Sequence, residues 1–437
     1  MFDYGSHQSA VGTPGAGEPM IAVDLRCVAA RVASLDPAVD DAGRIEQLRA
    51  LEEVKSAICA AQVRIAVEFA ASQEAEQQAS GTPRARVGAG IGAQIALARR
   101  ESPHRGGRLL GLAKALVHEM PHTLAALESG LLNEWRATLI VRETACVSRH
   151  DRQSIDAQLW AHPDQVTTLG DRALAAHTRA LAYLADPHAA VARASRAETE
   201  RCVTLRPAPD TMTYLTALLP VAQGVAAYAA LTHHADTTRA TGDPRGRGQI
   251  MADTLVERLT GQTEASAVPV TVNLVMPDTA LLAPVDGDHP GGEVADVVGH
   301  GPIPAGHARR LVAHAATREE AWVRRLYTHR GRLVALESSA RCFPSGIADF
   351  IDLRDRRCRT PWCDAPIRHH DHIQAHTDGG PSSAINSQGL CEACNYTKQT
   401  VGWRARPGPD GTVTTVTPTG NTYRSPEPAP GLPDEAA

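Results

Sequence analysis

The sequence predicts a mainly α N-terminal body, a short β-containing segment, and a small zinc-stabilised C-terminal module that ends in a β-hairpin. Three observations carry this reading. Apolar residues recur every three or four positions through most of the first half, the period of a helix with one apolar face. Composition changes near residue 262, after which short β-rich runs appear. Four cysteines then fall in two close pairs, Cys358 with Cys363 and Cys391 with Cys394. The expected boundaries are a disordered segment 1–19, a helical domain 20–262, a mixed α/β connector 263–342, a C-terminal domain with hairpin 343–424, and a disordered tail 425–437.

Composition narrows the class. The chain has 437 residues, 43% hydrophobic and 21% charged, with only 4% aromatic. Alanine is abundant, which favours helices packed through small side chains. No apolar run approaches the ~20 residues of a membrane span. Residues 1–19 are polar and Gly-rich, without the basic start and apolar core of a signal peptide. Nine cysteines together with a metal-type spacing fit a reducing compartment, so a cytoplasmic protein without a membrane partner is expected. Cys27, Cys59, Cys146, Cys202 and Cys342 are scattered and read as small core residues. The net charge of −5 is uneven: residues 305–406 hold 16 Lys or Arg against 10 Asp or Glu, which leaves −11 on the remainder. Such asymmetry suits a C-terminal domain that meets phosphate, carried by an acidic helical body.

The elements follow in order. Ile45, Leu48, Leu51, Val54, Ile58, Ile65 and Phe69 share one face of a long helix, which Ser80-Gly-Thr-Pro83 breaks. Gly88, Gly90 and Gly92 form a loop before a helix over 93–100; no apolar strand precedes them, so they are not a dinucleotide fingerprint. A helix over 109–117 leads to His118-Glu-Met-Pro-His122. That formally matches a zinc-protease motif, but Pro121 interrupts the helical turn both imidazoles would need. Helices are expected over 133–148, 151–161, 166–185, 188–200, 223–240 and 247–259, with 211–219 a strand or short helix. In the connector, 268–275 reads as a strand, 286–292 as a Gly/Pro/Asp loop and 304–316 as a helix. Residues 322–326 and 333–336 read as short strands around a turn at 329–331, and 343–356 as a helix. Pro409-Asp-Gly411 between β-prone runs predicts the hairpin.

The paired cysteines carry the strongest chemical signal. Each pair makes a short knuckle, and two knuckles supply four thiolates for one tetrahedral zinc. Four thiolates leave no open position, so the ion is structural. Between the pairs lie Asp371-His372, Gly379-Gly380 and Asn386, and Asn395 follows Cys394 directly.

This ordered set resembles the HNH (ββα-metal) nucleases that carry a four-cysteine zinc site. The whole arrangement, roughly residues 21–423, resembles the 13E12-repeat family of HNH proteins, whose N-terminal helical domain has no known function. In the helical part the likeness rests on segments such as Gly242-Asp-Pro-Arg245 with Asp253 to Glu257. The resemblance implies a metal-dependent DNA endonuclease. Asp371 and Asn395 would hold a catalytic Mg²⁺ or Mn²⁺, beside the structural Zn²⁺. His372 would be the general base, and Asn386 would tie down the loop that fixes it. The implied products carry 5′-phosphate and 3′-hydroxyl ends. Arg368 and Lys398 are candidate phosphate contacts. DNA is the implied partner, and self-association through the helical domain is left open. Two positions depart from the family: Asn395 stands where many relatives have His, and Trp362 where relatives commonly have Gly. Asn395 can also be read as a helix cap, and His370 as a third metal ligand or a neutral strand residue. A competing reading is a zinc-stabilised nucleic-acid-binding module, catalytically decayed, on a helical interaction scaffold.

Overall fold

The computed structural model describes residues 22–264, 274–276, 294–297, 301–317, 328–329, 332–333, 337–338, 343 and 345–428. The body is helical: α1 (Ala22–Ala33), α2 (Asp41–Ala79), α3 (Ile91–Arg99), α4 (Pro103–Glu119), α5 (Pro121–Glu128), α6 (Glu134–Glu143), α7 (Arg149–Trp160), α8 (Pro163–Thr167), α9 (Asp171–Ala185) and α10 (Pro187–Thr199). An antiparallel hairpin of β1 (Cys202–Pro207) and β2 (Thr213–Leu218) precedes α11 (Val221–Ala240) and α12 (Arg247–Thr260).

Capping side chains set most helix starts. Asp40, Ser102, Asn133, Ser148 and Asp186 each accept a hydrogen bond from a backbone N–H of the first turn. The main core lies between α2, α4, α5, α6, α7 and α9, around Val63, Leu116, Leu127, Ile140, Ile155 and Leu174. Each such side chain contributes about 1.5–3 kcal/mol by leaving water. The apolar period locates α2 but not its buried face. Ser56, Ala60, Val63, Val67, Ala70 and Gln73 are buried, whereas Ile45, Leu48, Val54, Ile58 and Ile65 are exposed. Small residues win the inner face because they let neighbouring helices approach. The crossing of α3 and α4 shows the same preference: a Cβ on Gly106 would sit 2.2 Å from the Gly92 carbonyl oxygen.

Pro121 opens α5, so His118 and His122 do not share a helical turn. The start of α5 is instead held by a buried carboxylate. Asp156 accepts from His122 N (2.7 Å), Thr123 N (3.0 Å) and Thr123 Oγ1 (2.5 Å). Asp156→Ala strands these donors in the core and is expected to cost about 3 kcal/mol, read from the shift of the urea midpoint. The Gly242-Asp-Pro-Arg245 segment also acquires a structural reason. Arg245 bridges Asp243 (2.8 Å) and Asp253 (2.7 Å), closing the turn onto α12. The hydrogen bonds from Arg245 hold the Asp243 carboxyl down to about 2.

In the connector, β3 (Leu274–Val275), β4 (Val294–Val297) and β5 (Gly301–Pro304) form an antiparallel sheet, followed by α13 (Ala305–Thr317). β6 (Thr328–His329) pairs with β7 (Arg332–Leu333), so His329, expected in the turn, is in a strand, and β8 (Glu337–Ser338) follows; residues 330–331 and 334–336 lie outside the described residues. The expected loop 286–292, the strand 322–326, Cys342 and residues 1–19 lie outside the described residues, as does most of the 268–275 strand. Cys27 and Cys202, read as core thiols, are exposed.

The C-terminal part comprises α14 (Ser345–Asp355), β9 (His369–His372), β10 (Ser382–Ser383), β11 (Ser387–Leu390), α15 (Glu392–Lys398), β12 (Arg404–Pro407), β13 (Val413–Val416) and β14 (Thr422–Ser425). β9 and β11 pair antiparallel, and β12–β13–β14 form a meander, one strand more than the expected hairpin. This part docks on the body. Thr419 Oγ1 donates to Gln94 Oε1 on α3 (2.9 Å), Trp403 packs against Gly90, and α15 lies against α4. Among the described residues, no helix is long and apolar enough to cross a membrane.

Candidate metal centre and adjoining site

Cys358 and Cys363 bracket a tight turn in which Cys363 N donates to Thr360 O. Cys391 is the N-cap of α15, its sulfur accepting from Cys394 N (3.5 Å). All four sulfurs are buried and lie within 4.8 Å of one another, with Cys363 Sγ 3.7 Å from Cys391 Sγ. A tetrahedral zinc with Zn–S of ~2.3 Å puts its sulfurs about 3.8 Å apart. The separation fits that edge and far exceeds the ~2.05 Å of a disulfide. Hydrogen bonds from Cys358, Cys363 and Cys394 push the Cys391 thiol below its usual range. The sulfurs of Cys358 and Cys391 in turn push Cys363 and Cys394 up. Only a cation lets all four ionise together, so the cluster can bind a structural zinc ion. Trp362, inside the first knuckle, has φ +60°, a backbone conformation that glycine adopts without strain.

Alternation along β9 splits its side chains between two faces. On the α15 face, the His369 ring lies 5.9 Å from Tyr396. Asp371 Oδ2 accepts from Lys398 Nζ (2.7 Å) and Gln388 Nε2 (3.0 Å). Lys398 also donates to the His372 carbonyl oxygen. On the other face, His370 Nε2 lies 2.9 Å from Asp352 Oδ1 of α14, so His370 is engaged by a carboxylate there. His372 stacks on Phe343 (centroids 4.3 Å apart), meets the edge of His376 (5.6 Å), and has Nε2 2.8 Å from Ser382 Oγ. Burial lowers the His372 pKa; Asp371 opposes this, while His376 and Lys398 add to it.

The loop after β9 is closed by Asn386. Its Oδ1 accepts from Gln374 N (2.8 Å), and its Nδ2 donates to Gln374 O (3.0 Å) and Pro381 O (2.9 Å). Gly379 takes φ +79°, and a Cβ on Gly380 would lie 2.0 Å from Gln374 O. Only paired glycines allow this return. Asn395 is buried within α15, four residues past the cap, and Cys391 holds the capping role instead. Its Oδ1 lies 3.5 Å from Gln399 Nε2. Arg368 is exposed just ahead of β9.

Sequence reasoning missed what fastens this site to its support. Asp355, fully buried at the end of α14, accepts from Arg354 Nε (2.6 Å), Arg359 Nη1 (3.0 Å) and Gly389 N (2.6 Å). Arg354 continues to the Ala384 and Ser387 carbonyls, and Arg359 to the Gly411 carbonyl (each 2.8 Å). Two arginines flanking an aspartate carry no distinctive sequence pattern. Asp355→Ala leaves two buried guanidinium groups uncompensated and is expected to cost about 3–5 kcal/mol, measured by denaturant melting. Ser382, Gln388 and Phe343 were missed likewise, because their roles depend on strand pairing across the loop.

The geometry defines a helical-body protein with a four-cysteine, zinc-type C-terminal module. Residues 45–355 match the family model described as "Domain of unknown function (DUF222)". The chain belongs to that family. The matched span ends at Asp355, just before Cys358. The uncharacterized protein Rv3776 of Mycobacterium tuberculosis (strain ATCC 25618 / H37Rv) is 36% identical over 80 residues, 18% of this chain and 15% of that protein. The uncharacterized protein Rv2100 of the same strain is 34% identical over 128 residues, 29% of this chain and 22% of that protein. The chain thus aligns with less than a quarter of the length of these relatives. No solved structure matches it.

Proposed function

We propose that the protein is a metal-dependent DNA endonuclease of the HNH type, hydrolysing phosphodiester bonds at the end of β9. What supports this reading is the ordered Asp371-His372, Asn386 and Asn395 set beside the four-sulfur cluster, with the His372 ring held by Phe343 and Ser382 at the end of β9. Alternation along β9 puts Asp371 and His372 on opposite faces, and their convergence on one phosphate is what the family resemblance implies. His372 is clamped between Phe343 and Ser382 with its pKa lowered, so the ring is neutral at pH 7. With Nε2 held by Ser382, Nδ1 would take the proton of the attacking water. Asn386 keeps the loop, and so Ser382, in register with the imidazole. Asp371 and Asn395 would hold the divalent ion, supplying one carboxylate and one amide oxygen, ligands that suit Mg²⁺ or Mn²⁺. When bound, that ion stabilises charge on the phosphate and the departing oxygen. Arg368 would steer the DNA backbone toward the strand end. Purified protein is expected to nick supercoiled plasmid only with added Mg²⁺ or Mn²⁺, and Asp371→Ala should lose that dependence together with the activity.

One observation favours the second reading, a nucleic-acid-binding module without cutting activity. The Asp371 carboxylate is already neutralised by Lys398, at 2.7 Å. On that reading the parent shifts labelled DNA in a gel at low salt and leaves plasmid intact with every divalent ion tried.

A further inference from the structure

The β12–β13–β14 meander has two unlike faces, and only one of them packs on the module. Its register puts Ala405, Thr415 and Tyr423 in one cross-strand row and Pro407, Val413 and Ser425 in the next. This face turns inward. Val413 is buried, Tyr423 lies edge-to-face with Trp362 of the first knuckle (centroids 6.1 Å apart), and Ala405 and Thr415 line a small cavity with Gln388 and Lys398. The alternate residues make the opposite face. There Arg406, Thr414 and Arg424 form one row, and Arg404, Val416 and Thr422 the other. All three arginines are exposed. Among the described residues none of their guanidinium groups makes an ion pair or a hydrogen bond, and no carboxylate shares the face. Strand geometry sets the array: about 7 Å from Arg404 to Arg406 along β12, and about 10 Å from Arg406 across β13 to Arg424.

We propose that this arginine face is a phosphate-binding surface that anchors duplex DNA, separate from the site at the end of β9. Like charges gathered on one sheet face repel, and no contact of the fold makes use of them. A polyanion relieves that repulsion. Guanidinium forks suit phosphate oxygens in particular, and the hydroxyls of Thr414 and Thr422 between them are donors of the kind that position a DNA backbone. A duplex carries one charge per ~1.7 Å of axis, so a single stiff ligand meets all three cations at once. An acidic peptide would first have to be ordered. A folded protein or a membrane surface would need apolar anchors, and the one apolar side chain on this face is the half-buried Val416. The surrounding charge points the same way, since residues 305–406 hold 16 Lys or Arg against 10 Asp or Glu. The thickness of the sheet separates the arginines from Gln388 and Lys398, so they hold DNA without touching the reacting phosphate. The inference rests on the module binding nucleic acid, in either form proposed above, and not on cleavage.

The test is fluorescence anisotropy of a short labelled DNA duplex with the full chain over a salt series, without added divalent ion. An Arg404→Ala/Arg406→Ala/Arg424→Ala protein should bind at least about a hundredfold more weakly than the parent at about 50 mM salt, and its plot of log affinity against log salt should be shallower by about 2–3. The corresponding triple Arg→Lys protein keeps the charge and should retain most of that slope. Both should match the parent in circular dichroism and zinc content, because the changed side chains are exposed. His372→Ala should bind as the parent does. A triple Ala protein with parental affinity and slope overturns the proposal, while plasmid nicking by the parent would leave the endonuclease reading standing. Binding lost in the triple Ala protein, with a parent that never nicks, supports the proposal and removes the endonuclease reading. A parent that binds no duplex overturns the proposal, and sedimentation with phosphatidylserine vesicles would then assign the face to lipid.

Discussion

A His372→Ala protein is expected to nick plasmid at least a hundredfold more slowly than the parent, the scale on which a positioned general base acts. The loss should appear in the rate and not in the fold. His372 is half-buried at a strand end, and its removal leaves the Asp371–Lys398 pair, the Asn386 clamp and the cysteine cluster in place. Zinc content and circular dichroism should therefore match the parent. The pH profile gives an independent check. Burial pushes the imidazole below the ordinary histidine range, against the pull of Asp371 and with the push of His376 and Lys398. Only the neutral ring accepts a proton, so the rate should climb with pH, level off below the usual histidine value of ~6.5, and stay flat through neutrality. The same depression has a sign for stability. The unfolded chain binds this proton more readily, so the contribution is complete above the ordinary value and is lost as pH falls through the depressed one. A His372→Ala protein that nicks at the parental rate would sink the mechanism.

What the sequence discloses, and what it hides, follows from the range of the interactions. The cysteine pairs, Gly379-Gly380 and the break at Pro121 were legible because each is a local constraint: a knuckle, a turn and a missing amide. The hairpin strand β1 escaped notice because Cys202-Val-Thr-Leu-Arg-Pro207 gains its pairing only from β2 across the turn. The buried face of α2 was hidden for a different reason. Its inner row is Ser56, Ala60, Val63, Val67, Ala70 and Gln73, less apolar in sequence than the outer row of Ile and Leu. Close helix packing selects for small side chains, and a hydrophobic period cannot distinguish that from an outer face kept apolar. The candidate site was legible in its identities and not in its partners. Asp371 and His372 could be named, but the clamps by Ser382, Gln388, Phe343 and Asp355 depend on how β9, β11 and α14 meet.

Removing the metal should have the larger structural effect. Chelation under reducing conditions, or Cys391→Ser, is expected to open the C-terminal module while the helical body stays folded. The apolar cluster around the thiols holds little besides Leu390 and Ala365, too small to fix two loops unaided. A structural zinc site contributes about 10–16 kcal/mol at pH 7 in small zinc-dependent folds, far more than two such side chains supply. Cys391→Ser acts twice, removing a ligand and the sulfur that caps α15. Because α15 carries Asn395 and Lys398, its loss also dismantles the Asp371 side of the candidate site. The body should survive, since its core is built from α2 to α9 without these residues. Two readings check this. Limited proteolysis should clip residues 358–398 after chelation while leaving the body intact. Thiol titration in native buffer should gain four reactive groups once the ion is gone, from the four-cysteine cluster. Ligand thiols must be deprotonated, so the ion should also be released as pH falls. If the purified protein carries no zinc and those four thiols react as fast as the exposed Cys27, the module is held by something else, and the site loses the support on which its geometry depends.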